Sequence, residues 1–352
     1  MLESKSITQL CKIVKPLLSW YRKNARRLPW RENTDPYRVW VSEIMLQQTR
    51  VAAVIPYFLR FMEQLPSVEA LANAPWDQLT KLWEGLGYYS RAKNLQKAAR
   101  VICEKYGGIF PDRYEEILSL AGVGPYTAGA VASISFEQPT PAVDGNVLRV
   151  ISRLLEWDAD FSRGAEKKQV AHLLAEIYPE GQCGAFTQAL MELGAVVCTP
   201  GTAPRCTACP LQEHCCACAH KTQASFPVIP PKKPRKREDK TIFLLHCGDR
   251  IAVRQRDAAG LLGGLWEFPN AEGHLDADAA EAWLWGHETK AGKITKIAPK
   301  KHIFTHIEWH MDCYLVLCEN TSPAFTWVTK GELEEKISLP TAFQKFSGEL
   351  AL

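Results

Sequence analysis

The chain has 352 residues, 46% hydrophobic and 23% charged, with a formal net charge of +3. Those are values of an ordinary globular protein of two or three domains, which excludes a disordered or low-complexity chain and leaves any polyanion partner to be argued from local charge. No apolar run approaches the roughly 18 residues that span a bilayer. The opening MLESKSITQL carries neither a signal-peptide nor a transit-peptide pattern, so a cytoplasmic protein with no membrane partner is expected. Twelve cysteines, five of them crowded into Cys206 to Cys218, then favour metal ligation over disulfides.

Residues 1–31 are predicted to form a helix and a loop, with Leu10, Ile13, Val14, Leu17 and Leu18 at helical spacing. The segment is basic: Glu3 alone opposes Lys5, Lys12, Lys15, Arg22, Lys23, Arg26, Arg27 and Arg31. It is either a solvated face or a surface for phosphates. Asp35-Pro36 starts a helix predicted to run to Arg50. Glu43 stands out in it, because its neighbours at helical spacing, Val39, Trp40, Leu46 and Gln47, make a largely apolar face. A carboxyl held against Trp and Leu has a raised pKa and suits a general acid.

Residues 51–118 read as further helices punctuated by Pro56, Pro66, Pro75 and Pro111. LWEGLGYYSRAKNL, from Leu82, places Leu86, Tyr88 and Tyr89 beside two glycines. These residues are either core or an aromatic wedge of the kind that enters a base stack. Leu120 to Val150 is the most informative stretch. Gly122-Val123-Gly124-Pro125 is a tight turn feeding a small-residue helix, Tyr126 to Ser133, and such a turn leaves backbone N–H groups pointing outward as an anion site. A Pro-broken loop then delivers Asp144 just before a second helical run, Val147 to Leu155. A further helix, Phe186 to Val197, carries Gln188.

Cys198, Cys206, Cys209 and Cys215 have the spacing C-x7-C-x2-C-x5-C, which suits either tetrahedral zinc or an iron–sulfur cluster, with Cys216 and Cys218 as spare thiols. Strand signals are scarce up to residue 220, so residues 1–220 are expected to be an all-α domain. Residues 221–240, KTQASFPVIPPKKPRKREDK, read as a basic, Pro-rich linker. Residues 241–352 change character: TIFLLHC, CYLVLCE and AFTWV have strand patterns and Asp278 to His287 a helical one, giving an α+β domain. Glu43 and Asp144 together are the kind of carboxylate pair that cleaves a glycosidic bond, one as acid and one as a charge beside an oxocarbenium-like sugar.

The Gly/Pro turn followed by an aspartate resembles the helix-hairpin-helix motif of the endonuclease III superfamily of DNA glycosylases, here near residues 116–133. The closer resemblance is to MutY-type adenine DNA glycosylases. It is carried by LPWR, SEIMLQQTRV, EGLGYYSRA, AGVGPYTAGAV, AVDGNVLRV, the cysteine loop 198–215, GGLWEFP and HIFTH, and spans nearly the whole chain. The resemblance implies removal of adenine paired with 8-oxoguanine by a monomeric, nucleoid-associated enzyme acting on double-stranded DNA. It implies a [4Fe–4S] cluster on the four cysteines, although the superfamily's first spacing is one residue shorter. Glu43 becomes the acid at adenine N7, Asp144 the oxocarbenium stabiliser, Asn146 its orienting partner, and Tyr126 the support on the sugar and acid side. Arg31, Gln188, Leu46 and Trp30 become adenine-pocket residues; Gln188 stands where the family often has Glu. Gln48, Thr49, Leu86 and Tyr88, with the hairpin Gly122, Val123 and Gly124, become DNA contacts.

Phe304-Thr305-His306 resembles the family's Phe-Ser-His loop that senses 8-oxoguanine, and LLGGLWEFPN resembles a Nudix strand. The metal-binding Nudix helix is missing after it, so a Nudix-like fold without pyrophosphatase activity is expected. Superfamily members that also nick the strand use a lysine where this chain has Tyr126, so a lyase step through a Schiff base is not expected. A bifunctional glycosylase/lyase for oxidised pyrimidines, a nucleotide pyrophosphatase and a non-catalytic damage sensor are the competing readings.

Overall fold

Helices α1 (Leu2–Cys11) and α2 (Val14–Asn24) present the expected stripe, with Leu10, Ile13, Leu17 and Leu18 all buried. In the computed structural model, residues 2–161, 164–228, 230 and 234–350 are described. Asp35 caps α3 (Pro36–Leu46), its side chain accepting the Tyr37 N–H at 2.9 Å. The helix stops at Leu46, four residues before the predicted end. Gln48 turns to φ +60° there, and α4 (Val51–Gln64) begins anew. Next come α5 (Val68–Asn73), α6 (Trp76–Trp83), α7 (Ser90–Tyr106) and α8 (Tyr114–Leu118). The hairpin turn joins α8 to α9 (Pro125–Phe136), which is buried all round from Thr127 to Ile134. Its small side chains allow neighbours on every side. Then follow α10 (Gly145–Leu155), α11 (Gly164–Ala175), α12 (Cys183–Val196) and, after the cysteine loop, α13 (Cys216–His220). Helix α12 packs on α2, α9 and α10, and α3 packs on α9, so the elements bearing Glu43, Tyr126, Asp144 and Gln188 converge. The core here joins Leu10, Ile13 and Leu17 to Val147, Ile151 and Leu154 of α10 and to Phe186, Leu190 and Leu193 of α12.

The chain forms two compact units, Met1–Asn73 with Lys93–Pro231, and Ala74–Ala92 with Lys232–Leu352. By sequence alone, residues 74–92 belong wholly with the helical domain. In the second unit that stretch is tied to the C-terminal residues: Ser338 donates to the Thr80 carbonyl at 3.0 Å, Lys81 to the Ile337 carbonyl at 3.2 Å, and the Leu339 N–H to Glu84 at 2.9 Å.

The second unit holds strands β1 (Lys236–Cys247), β2 (Arg250–Gln255), β3 (Trp266–Glu267), β4 (Asn270–Glu272), β5 (Ala291–Ile303), β6 (Ile307–Cys318) and β7 (Thr326–Thr329), with helices α14 (Ala277–Gly286), α15 (Lys330–Glu335) and α16 (Thr341–Gln344). The main sheet order is β3-β2-β1-β6-β5, with β4 on β1 and β7 on β2. Strands β1 and β6, the predicted TIFLLHC and CYLVLCE, run parallel from Lys236↔Ile307 to His246↔Leu317. Alternation along β1 sends Ile242 and Leu244 to one core and Phe243 and Leu245 to the other. Strand β1 starts at Lys236, so the last five residues of the predicted linker, KREDK, belong to the sheet, where pairing with β6 overrides their polarity. Residues 229 and 231–233 of that linker lie outside the described residues. Among the described residues no helix is long and apolar enough to cross a membrane.

Candidate active site

Glu43 is buried on α3, and the Tyr126 hydroxyl at the start of α9 donates to its Oε2. Burial pushes the Glu43 carboxyl up to about 7; the Tyr126 bond opposes this, the Asp144 charge adds to it, and Arg31 opposes it. Burial, followed by the two carboxylates, also pushes Tyr126 well above the ordinary phenol value, so it remains a donor. The carboxyl proton then belongs on Oε1, the oxygen not occupied by Tyr126.

Asp144 is the N-cap of α10. Its Oδ1 accepts the Val147 N–H at 2.7 Å, and its Oδ2 accepts the Asn146 side-chain amide at 2.7 Å. Burial raises the carboxyl above its usual value, opposed by Val147, Asn146 and the Arg149 charge. Three donors or charges therefore favour the ionised form that desolvation disfavours. The loop reaches this point because α9 has a glycine at 129: a Cβ there would lie 2.3 Å from the Pro141 carbonyl oxygen. Gly194 on α12 does the same for Asn146, whose Cβ would be 2.6 Å from an added one.

A cleft of about 620 Å³ brings these groups together with Arg31, Trp30, Leu46, Gln48, Thr49 and Gln188. The Tyr21 hydroxyl donates to Gln188 Oε1 at 2.8 Å. Three residues that the sequence alone does not assign to the site belong to it, Glu192, Arg26 and Arg149. Glu192 on α12 is fully buried, receiving Arg26 through Nε at 2.6 Å and Nη2 at 3.0 Å and Arg31 through Nη2 at 2.9 Å. Burial would raise its carboxyl, but the two guanidiniums outweigh it and hold the group below the usual range. The rule that singled out Glu43, a lone acid within an apolar helix, also applies to Glu192 in ALMELGAV. Arg149 is the third: it donates to Asn146 Oδ1 at 2.7 Å, the Gly194 carbonyl at 2.8 Å and the Cys198 carbonyl at 2.8 Å.

The expected DNA contacts divide. Gln48 and Tyr88 both adopt left-handed backbone, φ +60° and +49°, a strained state that clusters at functional sites. Tyr88 is 45% exposed, whereas Leu86 is buried, so only Tyr88 of the pair is presented outward in this conformation. In the hairpin, Val123 is buried and its N–H bonds the Leu120 carbonyl at 3.1 Å; that N–H is engaged within the turn. Phe304, Thr305 and His306 form the β5–β6 turn, closed by the Phe304 N–H on the Ile307 carbonyl at 2.8 Å. Phe304 packs edge-on against Trp309 at 4.8 Å, and Thr305 shares a 2.8 Å hydrogen bond with the Tyr88 hydroxyl.

The cysteine loop encloses a small cavity lined by Cys198, Cys206, Cys209, Cys215 and Cys218. Arg153 donates to Cys198 Sγ at 3.3 Å, and Gln223 to Cys206 Sγ at 3.7 Å. Among the described residues no group of three or more His, Cys, Asp or Glu converges as a single metal ion requires.

Residues 41–180 match the helix-hairpin-helix family of base excision DNA repair proteins, and 241–348 match the NUDIX domain. The chain is 35% identical to the adenine DNA glycosylase of Rattus norvegicus, over 94% of this chain and 76% of that one. It is 34% identical to that of Buchnera aphidicola (subspecies Acyrthosiphon pisum), over 85% of each. The chain belongs to the adenine DNA glycosylase family. As a family member it is a DNA N-glycosylase of adenine-excising base excision repair. A thermostable thymine-DNA glycosylase structure, 29% identical, aligns with a TM-score of 0.55 over 62% of this chain and 98% of its own. The helical glycosylase fold with a Nudix-like domain is thus as expected.

Proposed function

We propose that the enzyme is a monofunctional, monomeric glycosylase that removes adenine paired with 8-oxoguanine, and more slowly with guanine, from double-stranded DNA. The observation that carries this reading is the pairing of a carboxyl held near pH 7, Glu43, with a fully hydrogen-bonded Asp144 in one cleft. The adenine must leave the stack to enter the cleft. Glu43 Oε1 gives its proton to adenine N7, which makes the base a better leaving group. The C–N bond breaks, positive charge develops on the sugar, and ionised Asp144 stabilises it until water attacks. Asn146 fixes the Asp144 carboxylate. Gln188, held by Tyr21, offers an amide edge suited to the donor–acceptor pair of adenine, alongside Arg31, Leu46 and Trp30. Tyr126 is no amine, so the sugar is not captured as a Schiff base. Gln48, Thr49, Tyr88, Leu86 and the hairpin residues Gly122 and Gly124 are the proposed DNA contacts, and Thr305 with Phe304 and His306 the sensor of the damaged partner.

The thiols of Cys198, Cys206, Cys209 and Cys215 are proposed to hold a [4Fe–4S] cluster. An all-sulfur donor set spread around a cavity, with N–H donors aimed at two sulfurs, fits a cluster better than one small ion. The group would cross-link the loop; no reaction step is assigned to it.

The test is base release from duplexes with adenine opposite 8-oxoguanine, guanine or thymine, before and after alkali. Strand breaks only after alkali, only at adenine, and fastest opposite 8-oxoguanine are expected. Borohydride trapping of a covalent complex would favour the lyase reading instead.

A further inference from the structure

Arg153, on α10, is an enclosed cation, only 2% exposed. A guanidinium keeps its charge when buried, which is costly unless negative charge lies beside it. Among the described residues Arg153 pairs with no carboxylate, and its donors go to the cysteine loop. Nη1 reaches Cys198 Sγ at 3.3 Å and the Thr199 carbonyl at 2.9 Å, Nη2 the Gly201 carbonyl at 3.2 Å, and Nε the Gln223 and Phe226 carbonyls at 3.0 and 3.1 Å. Its own carbonyl accepts the Cys215 thiol at 3.4 Å. Among the described residues Arg153 and Arg205 line the loop's cavity and no acidic residue does. Such a wall suits an anionic occupant, and four thiolates around a [4Fe–4S] core carry net negative charge.

Resting on the cluster reading above, we propose that Arg153 is the positioning residue of this site, supplying the positive charge that balances the cluster and the donors that close the loop over it. Thr199 and Gly201 lie within the longer first spacing, T-P-G-T-A-P-R, whereas Gln223 and Phe226 lie beyond Cys218, so one side chain gathers both arms of the loop. The longer spacing is taken up by folding its carbonyls onto the guanidinium, while Cys198 at its start stays on the cavity wall. A cation beside Cys198 favours the more negative, reduced cluster and so raises the reduction potential, and the N–H bond to the sulfur acts in the same direction.

The experiment uses the full chain, purified anaerobically, as wild type, R153K and R153M, with circular dichroism as the check on folding. Two quantities are read: the rate of iron loss into a chelator and the midpoint potential of the cluster. R153M should lose iron about tenfold faster or more, and its cluster should be reduced at a more negative potential than in wild type. R153K keeps the charge but lacks the planar fork that reaches both arms of the loop. It should lose iron at an intermediate rate, with a potential close to wild type. A wild-type protein without iron overturns the cluster reading and this proposal with it. Wild type with iron, but R153M with an unmoved potential, overturns this proposal alone, whatever the release rate. So does a potential shifted equally in R153K and R153M, because charge is then not what acts. A variant-free measurement decides if R153M does not fold. Wild type grown with arginine labelled in the heavy nitrogen isotope should show, by pulsed EPR of the paramagnetic cluster, a nitrogen coupling absent from unlabelled protein. A cluster without that coupling contradicts the Arg153–Cys198 contact and the proposal built on it.

Discussion

Glu192 accepts from Arg31 at 2.9 Å while also binding Arg26 through two nitrogens, inside the cleft that holds Glu43. The groups acting on Glu43 are Tyr126, Asp144 and Arg31, with Arg26 and Lys167 lining the same cleft. With Glu192 neutralised, Arg31 loses its carboxylate partner, and its charge, which already opposes the rise of the Glu43 carboxyl, acts on Glu43 more strongly. Glu192→Gln should therefore lower the alkaline limb of the pH–rate profile by about one pH unit, with a roughly tenfold loss of single-turnover rate above it. Glu192→Asp should restore most of the profile. A rate loss with an unmoved limb would mean that Glu192 only holds the fold.

In the proposed mechanism the Glu43 carboxyl acts protonated, and burial places it at about 7. Excision should fall about tenfold per pH unit above that value and fall again in acid as Asp144 takes up a proton. Glu43→Gln should lose about 100-fold or more in base release. The same variant should be the more stable protein in alkali. Glu43 has a raised folded pKa, so its contribution is fully favourable below about 4.5, its unfolded value, and is lost as pH rises through about 7. At pH 8 the difference is up to about 3 kcal/mol, vanishing near pH 4; thermal melts of both proteins across pH check this.

Gly129→Ala puts a methyl 2.3 Å from the Pro141 carbonyl oxygen, so the loop carrying Asp144 must shift. A cost of about 1–3 kcal/mol and a loss of excision greater than the loss of DNA binding are expected, compared by melting and by single-turnover kinetics.

Arg149→Ala removes the bonds to Asn146, Gly194 and the Cys198 carbonyl together. Leaving buried acceptors unpaired costs about 1–3 kcal/mol each at most. Two readouts should move: slower excision through a loosened Asn146–Asp144 pair, and faster loss of iron on dilution into chelator.

Thr305→Ala removes the hydroxyl that meets Tyr88 at 2.8 Å. The ratio of excision opposite 8-oxoguanine to that opposite guanine should drop several-fold, a loss of about 1 kcal/mol, with the guanine rate unchanged. Rates on the two duplexes, taken side by side, decide it.

Much of this molecule is legible in the chain. The Asp35-Pro36 start, the small-residue α9 and the two apolar strand runs are local patterns, and the structure follows them. The candidate acids stand out in the chain for different reasons, Glu43 because it interrupts an apolar helix face and Asp144 because a Pro-broken loop delivers it just before a helical run. What could not be read has a tertiary cause. The end of α3 depends on a left-handed Gln48 that no local signal demands. The assignment of 74–92 rests on bonds to residues some 250 positions away. The need for glycine at 129 and 194 arises only when a second backbone passes close by. Glu192 was missed although its context matches that of Glu43; two arginines distant in sequence give it meaning.

Asp144 is at once the proposed charge beside the sugar and the cap of α10. Asparagine caps a helix as well as aspartate does, so Asp144→Asn should leave the helix start intact while removing the negative charge. Such a protein would still recognise and extrude its base but stall before the bond breaks. The dual role thus offers a route to a stable decoy, a folded enzyme frozen on uncleaved DNA and suited to mapping where the mispairs lie.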